Sequence, residues 1–291
     1  MIVNLIIGSL MIGSVYGMLA LGYSLIYSAS GLMTFTQGQL LMLGAFLGLQ
    51  FYKIMGMPFV VAFLLTVVIM FILGLVLEKF LIRVLLNKGA TSIYIVLSTI
   101  AISIILPNLA QALWGSQTQQ MPSIFSTTTI ELFGAHVQPE SILVMVVGFA
   151  AMIFLHLFMT KSRFGISMRA AAMDPLAASS LGINVSMTTG LTWAIAAALA
   201  GGIGALMGPV YGVSTTMGDI IGNKGFAGAV IGGYGNMYGA IVGSLLLGFI
   251  ETFVAGYLTT TYKDFVSFFL LIIVMIFLPR GLFKAKVYDS D

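Results

Sequence analysis

The sequence predicts an all-α, polytopic membrane bundle of about eight or nine transmembrane helices, some of them broken or re-entrant. Three observations carry this reading. Hydrophobic residues make up 59% of the 291 and charged residues 7%, whereas soluble domains carry about a quarter charged. Mean hydropathy is +1.10, so the solvent of most of this surface is lipid. The apolar runs are long and unbroken instead of alternating, which excludes a β-barrel. The whole chain, 1–291, reads as one transmembrane domain.

Taken in order, Ile2 to Tyr27 is the first span, with Gly13-x-x-x-Gly17 for close helix approach. It lacks a basic lead and a cleavage site, so it is expected to be retained. Ser28 to Gln50 begins polar, with Ser30, Thr34, Thr36, Gln37 and Gln39, and ends apolar around Gly44-x-x-x-Gly48. This pattern predicts a broken entry followed by a span, since irregular backbone at membrane depth needs protein or water beside it. Pro58 to Leu77 is a third span, and Ser92 to Trp114 a fourth, with Pro107 expected to kink it. Gly115 to Pro139 is the longest polar connection and holds no Lys or Arg. Glu140 to Thr160 is a span that leads into the basic stretch 161–187.

In that stretch Asp174-Pro175 is a helix start, because Asp caps and Pro is preset for the first turn. Gly182 marks the stop. The helix between them is roughly 10 Å long, too short to cross a bilayer. Thr188 to Tyr211 is an Ala- and Gly-rich span, and Gly212 to Gly225 reads as a polar turn carrying Asp219 and Lys224. Phe226 to Tyr257 contains GGYGN and predicts two helices meeting near Gly232 to Met237, since Gly resists a straight helix. Phe265 to Leu278 is the last span.

Nine of the 12 bases fall in three groups: Lys79/Arg83/Lys88, Lys161/Arg163/Arg169 and Arg280/Lys284/Lys286. The positive-inside rule puts all three groups, and with them the C terminus, in the cytoplasm, and 115–139 outside. About nine crossings then place the N terminus outside; about eight, with a re-entrant 28–50, place it inside.

Enzymatic chemistry is not expected. There is no Walker-A P-loop and no G-x-S-x-G elbow. There is no cysteine, and His136 and His156 lack partners at metal-ligand spacing. No metal, cofactor or nucleic-acid partner is predicted. Glu251 is the acid deepest in an apolar run, where a carboxyl is paired, protonated or functional. Gln37 and Gln39 lie beside the expected helix break, where free backbone dipoles can meet a solute. Interhelical hydrogen bonding is the competing reading for all three.

Three blocks, in order, resemble the branched-chain amino acid permease subunits of ABC importers. The first is GYSLIYSASGLMTFTQGQLLMLGA, which matches the family's Gly-Tyr-x-Leu/Met segment and the N/T-F-x-x-G block after it. The second is RFGISMRAAAMDPLAASSLGINV, and the third GFAGAVIGGYGNMYGAIVGSLLLGFIE. Gln37 stands where His or Ala is frequent, and Gln39 where an acid is common. The resemblance implies a permease of the prokaryotic inner membrane that works with separate cytoplasmic ATPase subunits, a second permease subunit and an extracytoplasmic binding protein. ATP would be bound by the partner subunits. The ATPase-coupling residues it implies are Arg169, Asp174, Pro175, Leu176, Ala177, Leu181 and Gly182. For the substrate pathway the candidates are Tyr23, Thr34, Gln37, Gln39, Asn236 and Glu251. A stand-alone channel or secondary transporter for a small neutral solute, such as urea or an amide, is the alternative.

Overall fold

The computed structural model describes residues 2–125, 129–132 and 135–284; Lys286 of the third basic group lies outside the described residues. Helix α1 (Ile2–Ser30) is followed by non-helical residues 31–36 and then by α2 (Gln37–Leu49), which ends in a π-helical turn over Gln50–Ile54. The break predicted in 28–50 is therefore real and falls at 31–36. Helix α3 (Phe59–Leu77) continues through a π turn, Glu78–Ile82, into α4 (Arg83–Asn87). Arg83 reaches back to Glu78 at 2.6 Å across that turn and also donates to the Ser186 carbonyl.

Helix α5 (Ser92–Trp114) runs through Pro107. The connection after it is not wholly irregular: Ile130–Leu132 (β1) and Ala135–Val137 (β2) pair antiparallel, and Gln119 pairs with Val213. Helix α6 (Pro139–Lys161) leads into α7 (Arg163–Met173), which the polar stretch had concealed, and then into α8 (Pro175–Ser180). Helix α9 (Val185–Tyr211) is followed by α10 (Met217–Gly232), α11 (Met237–Tyr257) and α12 (Lys263–Phe277). Among the described residues, seven helical stretches are long and apolar enough to cross a membrane; α2 and α10 are shorter. The protein is a helical polytopic membrane protein.

One sequence reading is corrected. The expected turn 212–225 closes at Thr216, and Asp219 and Lys224 belong to α10. The Gly-rich run here hid the helix, because glycine is a poor helix former in isolation. Tertiary packing selects helix anyway, since these glycines are contact points.

Three bundle contacts rest on missing side chains. A Cβ on Gly204 in α9 would stand 2.0 Å from the Leu41 carbonyl oxygen of α2, and one on Gly44 would stand 2.2 Å from Gly201 Cα. A Cβ on Gly232 in α10 would stand 1.8 Å from the Gly239 carbonyl oxygen of α11. In lipid such backbone approach, not hydrophobic exclusion, holds helices together. The α10–α11 turn uses Gly233 and Gly235 at positive φ, 114° and 84°. The Asn236 carboxamide oxygen then accepts from Tyr238 and Gly239 N–H to start α11. The chain after α12 closes this end, with Leu282 and Phe283 N–H donating to the Ile231 and Gly232 carbonyls.

Helix α2 is the centre of the bundle: twelve of its residues are buried, against α9, α10, α3 and α5. Gly204→Val is expected to destabilise the detergent-purified protein by about 1–3 kcal/mol, the range for overpacking. Gly8→Ala, whose Cβ would meet Thr252 at an ordinary 3.6 Å, is the control expected to unfold near the wild-type temperature.

Candidate functional site

A helix-bound lysine and three partners form the most charged buried cluster among the described residues. Lys224 of α10 places Nζ 2.5 Å from Glu251 Oε1 of α11 and 2.6 Å from Asp264 Oδ1 of α12. The Tyr16 hydroxyl of α1 donates to Glu251 Oε2 at 2.9 Å. Lys224 and Glu251 are each 3% exposed, whereas the Asp264 side chain is 54% exposed. Glu251 is thus a paired carboxylate tying α1, α10 and α11 together, as the hydrogen-bonding reading of this residue anticipated. The sequence did not reveal its partner. Lys224 lies 27 residues away on another helix, beyond any local periodicity. The available signal was a lone Lys inside a Gly-rich apolar run, at the cost of burying a charge.

Tyr16, Lys224 and Glu251 line an open cavity of about 230 Å³, and Asp264 is not part of its lining. Ile12, Val15, Met207, Ile220 and Ile221 supply apolar lining, and Lys263 and Ser214 also border it. The arrangement can hold a small solute against a greasy surface while offering it both signs of charge.

The remaining pathway candidates divide. Tyr23, Thr34, Gln37 and Gln39 come together around the start of α2, and all are at most 2% exposed. The Tyr23 hydroxyl donates to the Gly222 carbonyl of α10 at 3.3 Å, and the Thr34 and Thr36 hydroxyls share a 2.9 Å hydrogen bond. Gln39 Nε2 donates to Asp219 Oδ1 at 2.6 Å. Gln37 differs: neither its Nε2 nor its Oε1 has a hydrogen-bond partner among the described residues. This cluster is sealed, so any solute passing it needs a conformational change. Asn236 stands apart at the α10–α11 turn, where Nδ2 donates to the Phe283 carbonyl and Oδ1 caps α11. Its contacts are those of a turn residue.

The coupling candidates sit together on α7 and α8. Ser162 Oγ accepts from Gly165 N–H to start α7, and Asp174 Oδ1 accepts from Leu176 and Ala177 N–H at 2.9 Å to start α8. Pro175 occupies the first turn, and Gly182 ends the motif at φ 82°. Leu176 and Leu181 are 82% and 83% exposed, and Ala177 is exposed too. Ala178, next along the helix, is buried. Arg169 is exposed and borders a second cavity of about 250 Å³ with His156, Asn236 and Tyr238.

Breaking a buried pair from one side leaves its partner uncompensated. Lys224→Met is therefore expected to cost about 3–5 kcal/mol of stability, while Lys224→Met with Glu251→Leu loses less. Thermal unfolding in detergent should rank the double variant above the single one.

Comparison with known proteins finds similarity along nearly the whole length of the chain. Residues 5–275 match the family model described as branched-chain amino acid transport system / permease component. The high-affinity branched-chain amino acid transport system permease protein LivH of Escherichia coli K12 is 34% identical over 284 residues, covering 93% of this chain and 92% of that protein. BraD of Pseudomonas aeruginosa, with the same description, is 33% identical, covering 95% and 94%. A probable branched-chain amino acid transport permease, LivH of Methanocaldococcus jannaschii, is 25% identical, covering 94% and 90%. No solved structure matches. With a family model matching residues 5–275 and relatives this similar over nine-tenths or more of both lengths, the chain belongs to the branched-chain amino acid transport permease family.

Proposed function

We propose that this chain is the membrane-spanning permease subunit of an ABC importer for branched-chain or other apolar amino acids, and not an enzyme. The observation that carries the reading is full-length similarity to permeases of such transport systems. The chain lacks a P-loop, so the nucleotide chemistry belongs to separate cytoplasmic ATPase subunits. The exposed Leu176 of α8 and Leu181 just after it, beside the Asp174 cap, supply an apolar anchor for a groove on such a subunit, with Arg169 on α7. A second permease subunit completes the pathway, and a binding protein delivers solute to 115–139 and to the short turn 212–216.

Nine crossings suit the helix ends best. Leu5 abuts Gly256 and Tyr27 abuts Gly235, so α1 and α11 run antiparallel. Counting residues 31–54 as one crossing and α10 as another leaves all three basic groups on the cytoplasmic side and the N terminus outside. The localisation is then the inner membrane of a prokaryotic cell, multi-pass, with a cytoplasmic C terminus.

Transport follows alternating access. ATP-driven closure of the ATPases moves α8 and, through α7, the bundle, and the permease supplies states of different solute affinity. The sealed cluster at Tyr23, Thr34, Gln37 and Gln39 is the part of the pathway closed in this conformation. Opening it would give the two free polar atoms of Gln37 a partner. A channel needs no such capped helix, and nothing in the geometry favours one.

Asp174→Arg removes the α8 cap and Leu176→Arg reverses the character of the exposed anchor. Each variant is expected to insert in the membrane normally, to lose its co-purifying P-loop ATPase, and to reduce ATP-driven leucine uptake in proteoliposomes to background. Normal uptake by both would exclude α8 as the coupling element.

A further inference from the structure

We infer that the cavity walled by Lys224 and Glu251 is a solute site selective for a neutral zwitterion: an amino acid with an uncharged aliphatic side chain. The inference rests on the permease reading and adds to it a place and a selection rule.

The rule comes from charge. Lys224, Lys263 and Glu251 line this cavity, and Asp264, outside the lining, pairs with Lys224 at 2.6 Å, so the formal charge of the four-residue group sums to zero. A zwitterion leaves that sum unchanged, whereas an acidic or basic amino acid adds an unpaired charge against apolar walls, which is costly. Urea offers nothing that needs both signs.

Hydrogen-bonding capacity points the same way. An ammonium has three donors and a carboxylate about four acceptor positions. Lys224 uses two donors, on Glu251 and Asp264, and Glu251 accepts one hydrogen bond on each oxygen. The cluster is held together yet retains one ammonium donor and free carboxylate lone pairs. A solute carboxylate can take the third Lys224 donor with Lys263, and a solute ammonium can reach Glu251. Ile12, Val15, Met207, Ile220 and Ile221 then meet the side chain. At about 230 Å³ the space is smaller than the roughly 300–1,000 Å³ of drug-sized ligand sites, which suits a small solute.

The absence of cysteine permits a direct test. Ile220→Cys puts a single thiol on this chain at the cavity wall. The complete importer complex carrying it is reconstituted in vesicles, and the rate of N-ethylmaleimide labelling of the permease chain is followed. Leucine is expected to slow labelling saturably. Isopentylamine, which lacks the carboxylate, 4-methylpentanoate, which lacks the ammonium, and urea are expected to leave the rate unchanged. Adding Lys263→Met should raise the half-protecting leucine concentration about tenfold, as for one lost charged hydrogen bond. The site is overturned if, in vesicles that import leucine with ATP, leucine gives no protection. It is equally overturned if the half-molecules, glutamate or lysine protect as well as leucine, or if Lys263→Met leaves protection unaltered. Failure of the wild-type complex to import any amino acid with ATP overturns the permease reading itself, a separate result.

Discussion

The structure depends on backbone-to-backbone contact between helices. In lipid, apolar side chains gain little by meeting each other, so cohesion comes from close packing and from polar contacts. Here glycines set that distance. Gly44 with Gly201 and Leu41 with Gly204 hold α2 against α9, while Gly232 with Gly239 holds α10 against α11. A single methyl group at several of these places would collide with a carbonyl oxygen. The position of α2 follows from these contacts, and so does the depth at which its broken start lies.

That burial makes the polar features consequential. Residues 31–36 interrupt the helical path and pack on α5 and α10, where the Phe35 N–H donates to Thr99 and the Phe35 ring meets Phe226, the protein surroundings that irregular backbone at membrane depth requires. Thr34 and Thr36 bond each other, Tyr23 reaches the Gly222 carbonyl, and Gln39 reaches Asp219. Gln37 Nε2 and Oε1 have no hydrogen-bond partner among the described residues. Two residues along α10 from Gly222, Lys224 joins Glu251 and Asp264. The same helix thus touches both the sealed cluster and the open cavity. A small rotation of α10 would alter both together, a geometry suited to a transporter that must not open at both ends.

The short helix α8 follows a different physics. Helix α8 is six residues long and has little to gain from lipid or core, so it depends on its local signals: an Asp cap, Pro in the first turn and a positive-φ Gly after it. Such signals are contained within a few residues.

This contrast explains what was legible beforehand. Lipid as solvent, the helical class, the break before α2, the α10–α11 junction and the capped α8 were all determined by the sequence, because each rests on composition or on contacts within a few residues. The charge partner of Glu251, the true start of α10 and the inward turn of Ala178 were decided only by tertiary structure. A Gly-rich segment has no helical preference to read, and becomes helical when its bare backbone meets another helix. An ion pair spanning α10 and α11 leaves no spacing in the sequence, since the fold brings Lys224 and Glu251 together and neither residue specifies the other locally.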